Sequence, residues 1–408
     1  NSGELIIPYQ LGNTTTRSVT RTFAGAFTNA AGAELRLLPG MNAPSYGNQR
    51  ANLTVDFQNG LTNAGTIELS EGASSSDDAG NVTLLVSGGI LTNQATGVIR
   101  SLSGSGTGTI GSRTITGPIE NDGQIQVVSQ NLVLNSGIVT NDGNIVVDAN
   151  RVLTMSTGSR FNPATGEILG EGSFVLRSGA QLGDGILRGR AYFYDASVPA
   201  DATLVNSGEL IIPYQLGNTR TASATRTFAG AFTNASGGVL RLLPGMNAPS
   251  YSNQRATLTV DFQKGLTNAG LIELSEGPSS SDDAGNTVLH VSGGTLINEA
   301  TGVIESLVGA ATGTIGSRSI KGTVLNNGTV NAIDHSLTLT DVTFTNNAAL
   351  NAGLGKRITV GSGARLNPGT GELLGEGIFD VRSGGQLGDG TLKGSVLFYD
   401  GTVPADAT

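Results

Sequence analysis

Cysteine and tryptophan are absent from the 408-residue chain, and histidine occurs only twice. Without cysteine the chain can form neither disulfide bonds nor thiolate zinc sites, and cysteine nucleophiles are excluded with them. Two imidazoles are too few for a histidine metal cluster, and a Ser/His/Asp triad is not expected either.

Charged residues are also scarce: they make up 13% of the chain, and the formal net charge is −9. An acidic surface repels a phosphate backbone, so nucleic acid is not an expected partner. The lysines are limited to Lys264, Lys321, Lys356 and Lys393, which argues against a polybasic surface for anionic lipids. No apolar run approaches the roughly 20 residues of a transmembrane helix, so we expect no membrane span in this sequence.

Two tandem copies of one unit occupy the whole chain. The sequence NSGELIIPYQLGNT at Asn1 returns at Asn206, and about 132 of the 203 positions that overlap at this offset of 205 are identical. We therefore predict two β-solenoid repeats, 1–205 and 206–408, that form a continuous rod without a linker. Because the second copy ends short of a full period, we expect a window from a longer array, in which further copies of the repeat are the first partners.

A shorter period lies inside each copy. The motif L-T-N-A-G-T-I-E-L around Asn63 recurs as V-T-N-D-G-N-I-V-V around Asn141. From Asn1 to Asn162 the intervals between motif asparagines are 28, 34, 30, 28, 20 and 21 residues, and a further 44 lead to Asn206. If those 44 residues form two coils, each copy holds about eight coils.

Each coil combines strand signals with corner signals. In residues 53–69 the alternating run L-T-V-D-F is followed by Q-N-G, the run L-T-N, A-G and the run T-I-E-L. Alternation is typical of half-buried strands, and we expect asparagine and glycine to supply the positive φ angles of the corners. Three short strands per coil that stack in parallel define a β-helix. The sequence thus predicts an all-β parallel solenoid, and the usual crossover preference predicts right-handed winding.

These cysteine-free N-x-G-x-I-x-L coils, rich in glycine, asparagine and threonine, resemble a known architecture. They are similar to the β-solenoid stems of filamentous-haemagglutinin-type and autotransporter adhesins, and to the tandem-repeat surface fibres of bacteria. The resemblance implies an extracellular or cell-surface location. It also implies a non-catalytic structural role in a long fibre or adhesin stalk that mediates attachment or filament assembly.

Four polar insertions lengthen the early coils of each copy, and each starts about 8 to 11 residues after the motif asparagine. Equal offsets place the insertions at the same corner of successive coils, so we expect loops along one edge of the solenoid, which is typical of an interaction surface. About 82 of residues 1–100 are identical in the second copy, against about 18 of residues 101–150. Either the loops share a function, or recent recombination has kept that part of the copies alike.

Large side chains that recur at the offset of 205 make the loop edge a candidate binding or lateral-contact site. Tyrosine and arginine anchor protein contacts and stack on sugars, so the partner would be a sister rod in a side-by-side homo-oligomer, or a surface glycan or protein. The alternative is that each tyrosine packs its own loop onto the rod. The candidates are Met41, Tyr46, Arg50, Met246, Tyr251 and Arg255.

Metal binding and catalysis have weaker support. Oxygen ligands of the kind that Ca²⁺ prefers occur in the third loop, but their spacing fits no EF-hand or RTX repeat, so we predict no metal and no cofactor, with calcium as the alternative. The calcium candidates are Asp77, Asp78, Asn81, Asp282, Asp283 and Asn286. His290 and His335 correspond to Leu85 and Gln130 in the other copy, so neither histidine serves a site that both copies share. We expect no enzyme; the alternative is a carbohydrate-binding or polysaccharide-degrading β-helix.

Overall fold

A computed structural model describes most of the chain. The described ranges are 1–10, 16–40, 50–72, 79–105, 110–215, 221–245, 255–278, 284–310 and 314–408, without the side chains of Gln10, Thr16, Arg50, Ala79, Gln215, Thr221 and Ala284. These ranges contain β-strands and turns and no helix. The chain divides into two compact units, Asn1–Ala191 and Tyr192–Thr408.

In the first unit, each of seven described coils contributes one strand to each of three parallel sheets. The first sheet contains Glu4–Gln10, Glu34–Gly40, Thr66–Leu69, Val98–Ser101, Gln124–Val127, Asn144–Val147 and Glu167–Leu169. The second contains Thr16–Phe23, Arg50–Phe57, Ala79–Leu85, Arg113–Thr116, Leu132–Asn135, Val152–Met155 and Ser173–Leu176. The third contains Phe27–Asn29, Leu61–Asn63, Leu91–Asn93, Ile119–Asn121, Ile138–Asn141, Arg160–Asn162 and Gln181–Leu182. The strands Gly185–Leu187 and Arg190–Phe193 follow along the chain. The predicted parallel β-solenoid with three strands per coil is confirmed.

In the second unit one face again has seven separate strands, called here its first sheet, and the other two faces have longer strands. The first sheet contains Glu209–Gln215, Val239–Gly245, Leu271–Leu274, Val303–Ser306, Thr329–Ala332, Ala349–Ala352 and Glu372–Leu374. Its other faces contain Thr203–Asn206, Thr221–Phe228, Ala231–Asn234, Arg255–Phe262, Leu266–Asn268, Ala284–Asn298, Arg318–Asn326, Leu337–Asn346, Arg357–Val360, Arg365–Asn367, Ile378–Val381, Gln386–Leu387 and Val396–Phe398. All of the strand pairs recorded inside this unit are parallel.

A proline explains part of this difference between the units. In the first unit the strands Arg113–Thr116 and Ile119–Asn121 are separated by Gly117 and Pro118, and proline has no N–H to donate to a ladder. In the second unit Thr323 takes the place of Pro118, and the single strand Arg318–Asn326 runs through it with a register shift at Gly322. The second and third faces are therefore continuous at this corner.

The core lies between the three sheets of each unit and is lined by alternating side chains. Ile67 and Leu69 are fully buried, whereas Thr66 and Glu68 alternate with them on the outward side. Because each inward residue meets its equivalent in the next coil, identical side chains stack in columns. Phe57, for example, lies 4.8 Å from Phe23 between ring centroids.

The motif asparagines form a buried ladder. In the first unit each side-chain amide nitrogen donates to the amide oxygen of the next coil's asparagine at 2.7–2.8 Å, in the order Asn1, Asn29, Asn63, Asn93, Asn121 and Asn141. The second unit repeats this ladder through Asn206, Asn234, Asn268, Asn298, Asn326 and Asn346. Each coil is thus joined to the next inside the core as well as through its sheets.

The prediction that asparagine and glycine supply the positive φ angles of the corners is confirmed for glycine, as at Gly60 with φ of 81°, but it is wrong for the motif asparagines. Among the described non-glycine residues, positive φ occurs at Ser136, Asn150, Ala164 and Asp341. The motif asparagines instead turn their amides inward, where a polar atom without a hydrogen-bond partner is costly. The motif glycine, two positions after the asparagine, allows the backbones of neighbouring coils to pack closely. A Cβ at Gly65, for example, would clash with the carbonyl oxygen of Ala33 in the preceding coil.

The assignment of Asn162 to the motif is also wrong by one residue. Asn162 pairs with Thr140 in the third sheet, so the position next to Asn141 belongs to Pro163. A proline has no amide to extend the ladder, and the Asn141 side chain donates instead to the carbonyl of Gly143 at 3.1 Å. The first asparagine ladder therefore ends at Asn141.

Candidate functional site

The polar insertions lie between the same two sheets in every early coil of the first unit. In sequence, the first insertion separates Glu4–Gln10 of the first sheet from Thr16–Phe23 of the second, and the second separates Glu34–Gly40 from Arg50–Phe57. The third insertion separates Thr66–Leu69 from Ala79–Leu85, and the fourth separates Val98–Ser101 from Arg113–Thr116. Their counterparts in the second unit each follow a strand of its first sheet and precede a strand of another face. The described strands on both sides thus place the insertions of each unit at one corner of its own coils.

Most of the loop-edge candidates lie outside the described residues, namely Met41, Tyr46, Met246 and Tyr251. Arg50 begins the strand Arg50–Phe57, but its side chain is not described. Arg255 begins the strand Arg255–Phe262 at the equivalent position, and its side chain is exposed. Each arginine therefore starts the strand that directly follows an insertion.

The calcium candidates divide in the same way. Asp77, Asp78, Asp282 and Asp283 lie outside the described residues. The oxygen of the Asn81 side chain accepts hydrogen bonds from the backbone N–H of Ser112 at 2.7 Å and from its hydroxyl at 3.0 Å.

Asn286 makes the corresponding bonds to Ser317 at 2.8 and 3.0 Å. Both asparagine oxygens therefore hold neighbouring coils together. In the described ranges no three His, Cys, Asp or Glu residues form a group that could hold a metal ion.

Sequence reasoning missed a buried ion pair beneath this corner. Arg113 and Glu71 have fully buried side chains, and Arg113 Nη2 lies 3.4 Å from Glu71 Oε2. Arg113 also donates to the carbonyls of Gly80 at 2.6 Å, Gly111 at 3.1 Å and Leu102 at 3.0 Å. Glu71 accepts from the backbone N–H of Gly80 at 2.8 Å. The pair thus fixes the backbone on both sides of the third and fourth insertions.

The second unit contains the same arrangement. Arg318 Nη2 lies 3.3 Å from Glu276 Oε2, and both side chains are fully buried. Arg318 donates to Gly285 at 2.7 Å, Gly316 at 3.0 Å and Leu307 at 3.0 Å. A sequence signal existed, because the run TGTIGSR that ends at Arg113 returns unchanged at Arg318, although most of residues 101–150 differ between the copies. We read that recurrence as structural, because each guanidinium is saturated with backbone acceptors.

Burial sets the electrostatics of these pairs. Loss of hydration raises the pKa of Glu71 above its ordinary value, although the charge of Arg113 and the N–H groups of Gly111 and Gly80 oppose the rise. Burial likewise lowers the pKa of Arg113, and the charge of Glu71 opposes that change. Glu276 and Arg318 are shifted in the same directions for the same reasons. Each side chain of a pair therefore depends on the charge of the other to remain ionised in the dry interior.

His335 is half-buried next to the second of these pairs. Burial and the positive charge of Arg318 lower the pKa of His335; Lys356 adds to this effect, while the carbonyl of Ser336, 2.9 Å from His335 Nδ1, and the charge of Asp334 oppose it. Its counterpart in the first unit is Gln130, which donates to the carbonyl of Gly111 at 2.6 Å.

Acid should therefore destabilise the second unit through His335. Because its folded-state pKa is depressed, the unfolded chain binds the proton more tightly, so stability present above about pH 6.5 is lost as the pH falls below that value. We expect His335→Gln to reduce the fall in the unfolding midpoint between pH 7.5 and 5.5, measured by denaturant titration. Gln130→His should introduce the same acid sensitivity in the first unit. Identical pH profiles for the wild type and His335→Gln would contradict this assignment.

Comparisons with known proteins add little. No family model matches the sequence, and no curated protein matches it. Among solved structures, the chain is similar to the crystal structure of a TibC-catalysed, hyper-glycosylated TibA fragment, residues 55–350 of that protein. The identity is 15%, the match covers 94% of this chain and 98% of the other, and the TM-score is 0.20. A likeness this distant bears on neither family nor function.

The described residues contain no helix long and apolar enough to cross a lipid bilayer.

Proposed function

We propose that the chain is a non-catalytic structural segment of a long extracellular bacterial fibre or adhesin stalk, in which further copies of the repeat follow in the same chain. The observation that carries this proposal is coil-by-coil stacking inside each unit. Parallel ladders and a buried asparagine ladder join every early coil to the next, so a coil needs only its two neighbours to be stable. Length can then increase by repetition of the same unit.

The buried charges favour a structural role over a catalytic one. A catalytic acid or base needs free hydrogen-bonding capacity and access to a substrate. Glu71 and Arg113 are instead fully buried and bonded to the backbone at the base of two insertions, and Glu276 and Arg318 repeat this arrangement. These four desolvated ionisable groups thus support the shape of the solenoid.

The loop edge is the proposed contact surface for partners. The insertions leave one corner of the coil, and a buried ion pair in each unit fixes the backbone beneath two of them. A rigid base lowers the entropic cost of presenting a loop to a partner. Tyr46 and Tyr251, with Arg50 and Arg255, are the proposed anchors toward a sister rod or a surface target.

Localisation on intact cells tests the fibre proposal. Antibodies raised against the purified 408-residue chain should label filaments outside the cells that produce it, in immunogold electron microscopy without permeabilisation. Cells that lack the gene provide the control for antibody specificity. Label that appears only after permeabilisation, or only on the cell interior, would overturn the proposal.

A further inference from the structure

A polar cleft with a volume of about 480 Å³ lies in the second unit, at the corner between the second and third faces of successive coils. The cleft is lined by hydroxyl groups, an imidazole and a carboxylate, together with several glycines. The side chains that carry the argument are His290, Ser292, Thr323, Asp341 and Thr343. This corner is distinct from the corner that bears the insertions.

Threonines follow this corner from coil to coil. Thr323 and Thr343 are paired positions of neighbouring strands, and both are exposed. Their counterparts in the first unit are Pro118 and Ile138, and 53% of Ile138 is exposed. The same position of the coil is therefore apolar in one repeat and lined by hydroxyl groups in the other.

Two charged side chains at this corner of the second repeat have uncharged counterparts in the first. Asp341 replaces Ser136 and Lys321 replaces Thr116, and Lys321 Nζ lies 3.1 Å from Asp341 Oδ2. The backbone is the same in both cases, since φ is 52° at Ser136 and 49° at Asp341. The two repeats thus share the φ angle of the turn residue and differ in its side chain.

His290 changes the role of a neighbouring hydroxyl group. In the first unit the hydroxyl of Ser87 donates to Asp56 Oδ1 at 2.6 Å. In the second unit His290 Nδ1 lies 3.1 Å from the equivalent oxygen of Asp261, and Ser292, the counterpart of Ser87, is exposed in the cleft. The imidazole of His290 lies beside the Asp261 carboxylate without a hydrogen bond to its Oδ1, and the side chain of Ser292 is exposed in the cleft.

The donor and acceptor set indicates the class of ligand. Lys321 is paired with Asp341, and His290 lies against Asp261, so the cleft offers no unpaired cation to an anionic ligand. Three hydroxyl groups can each donate and accept, which matches the hydroxyls of a neutral sugar. The volume falls within the range of small-molecule sites, about 300–1,000 Å³.

We infer that this cleft of the second repeat binds a neutral oligosaccharide, with Asp341 accepting hydrogen bonds from sugar hydroxyls and Thr323, Thr343 and Ser292 completing the contacts. The inference does not rest on the proposed fibre role, because a fibre needs no such cleft in only one of its repeats. The sugar could belong to the polysaccharide of the producing cells or to a foreign cell surface.

A glycan array tests the inference. The purified 408-residue chain should bind at least one neutral oligosaccharide on a printed array of defined neutral and anionic glycans, which includes animal-type glycans and fragments of the producing cells' own polysaccharide. The bound oligosaccharide is then titrated by saturation-transfer NMR. We expect the double variant Asp341→Ser, Thr343→Ile to lose at least tenfold in affinity. Both new residues occur at these coil positions in the first repeat, so the variant should fold.

A matched threonine substitution provides the control. Thr329 lies outside the cleft, in the first sheet of the same unit, and Thr329→Ile should leave the affinity unchanged. Binding of either source of neutral glycan, lost in the double variant, supports the inference. Binding of anionic glycans alone, equal affinity for the double variant with circular dichroism unchanged, or no neutral glycan bound by the wild type would each overturn it.

Discussion

Arg113→Met should destabilise the first unit by about 3–5 kcal/mol, the cost of leaving a buried charge without its partner. The substitution keeps most of the side-chain volume but removes the guanidinium. Glu71 would then remain in a dry interior, and the carbonyls of Gly80, Gly111 and Leu102 would lose a donor. Because solenoid stability is local, the loss should appear first as faster amide hydrogen exchange in residues 69–116, together with a lower denaturant midpoint.

Two further variants identify the cause of this loss. Arg100 lies on the outward side of the same coil and donates to Gln126 at 3.1 Å, so Arg100→Met should cost no more than about 0.5 kcal/mol. Adding Glu71→Gln to Arg113→Met should recover part of the loss, because the uncompensated charge is removed. Equal losses for Arg100→Met and Arg113→Met would contradict a special role of the pair. No recovery in the double variant would assign the whole cost to the unpaired carbonyls.

The pH dependence of Arg113→Met has a defined sign. Without Arg113, only the N–H groups of Gly111 and Gly80 oppose the effect of burial, so the pKa of Glu71, which is already raised, should rise further. A carboxyl whose folded-state pKa lies above its unfolded value binds the proton more tightly in the folded state, so this contribution to stability increases as the pH falls. The difference between the variant and the wild type should therefore become smaller at lower pH.

Local alternation was sufficient to predict the fold. The run T-I-E-L places Ile67 and Leu69 in the core and Glu68 outside, as its period of two requires. Asparagine is harder to interpret, because the same residue type is found both at corners with positive φ and in buried amide ladders. Only the stacking of the coils determines which of these two roles it has. Asn162 shows the limit of motif matching: its neighbourhood resembles the motif, but Pro163 occupies the ladder position.

Contacts between distant residues were the part that sequence reasoning could not supply. Glu71 and Arg113 are 42 positions apart, and nothing in either local pattern indicates that insertions of unequal length bring them together. The polar cleft depends in the same way on His290, Thr323 and Asp341, which belong to different coils. The loop-edge tyrosines, the repeat boundary at 205/206 and the right-handed winding stay predictions.

Because of the asparagine ladder, we expect each motif asparagine to contribute more to the free energy of unfolding than a polar side chain ordinarily does. The Asn93 side chain accepts from Asn63 Nδ2 at 2.7 Å and donates to Asn121 Oδ1 at 2.7 Å. It also donates to the carbonyls of Gly97 at 3.3 Å and Gln124 at 3.2 Å. Removing one amide therefore leaves polar groups unpaired in the coils on both sides.

Asn93→Ala should cost roughly 2–4 kcal/mol, because a buried donor of Asn63 and a buried acceptor of Asn121 each lose a partner at about 1–3 kcal/mol. The outward-facing Asn144 provides the matched control, and Asn144→Ala should stay within about 0.5 kcal/mol of the wild type. Hydrogen exchange should show the Asn93→Ala loss in the strands Leu61–Asn63 and Ile119–Asn121, which flank the substituted coil.

The variant Asn93→Asp keeps the shape of the side chain, but when ionised it cannot donate a hydrogen bond to Asn121. Protonation of the carboxylate restores a donor, so this variant should gain stability relative to the wild type as the pH falls. If Asn93→Ala and Asn144→Ala have equal denaturant midpoints, the ladder contributes nothing beyond the sheets, and the asparagine is retained only for its place in the turn.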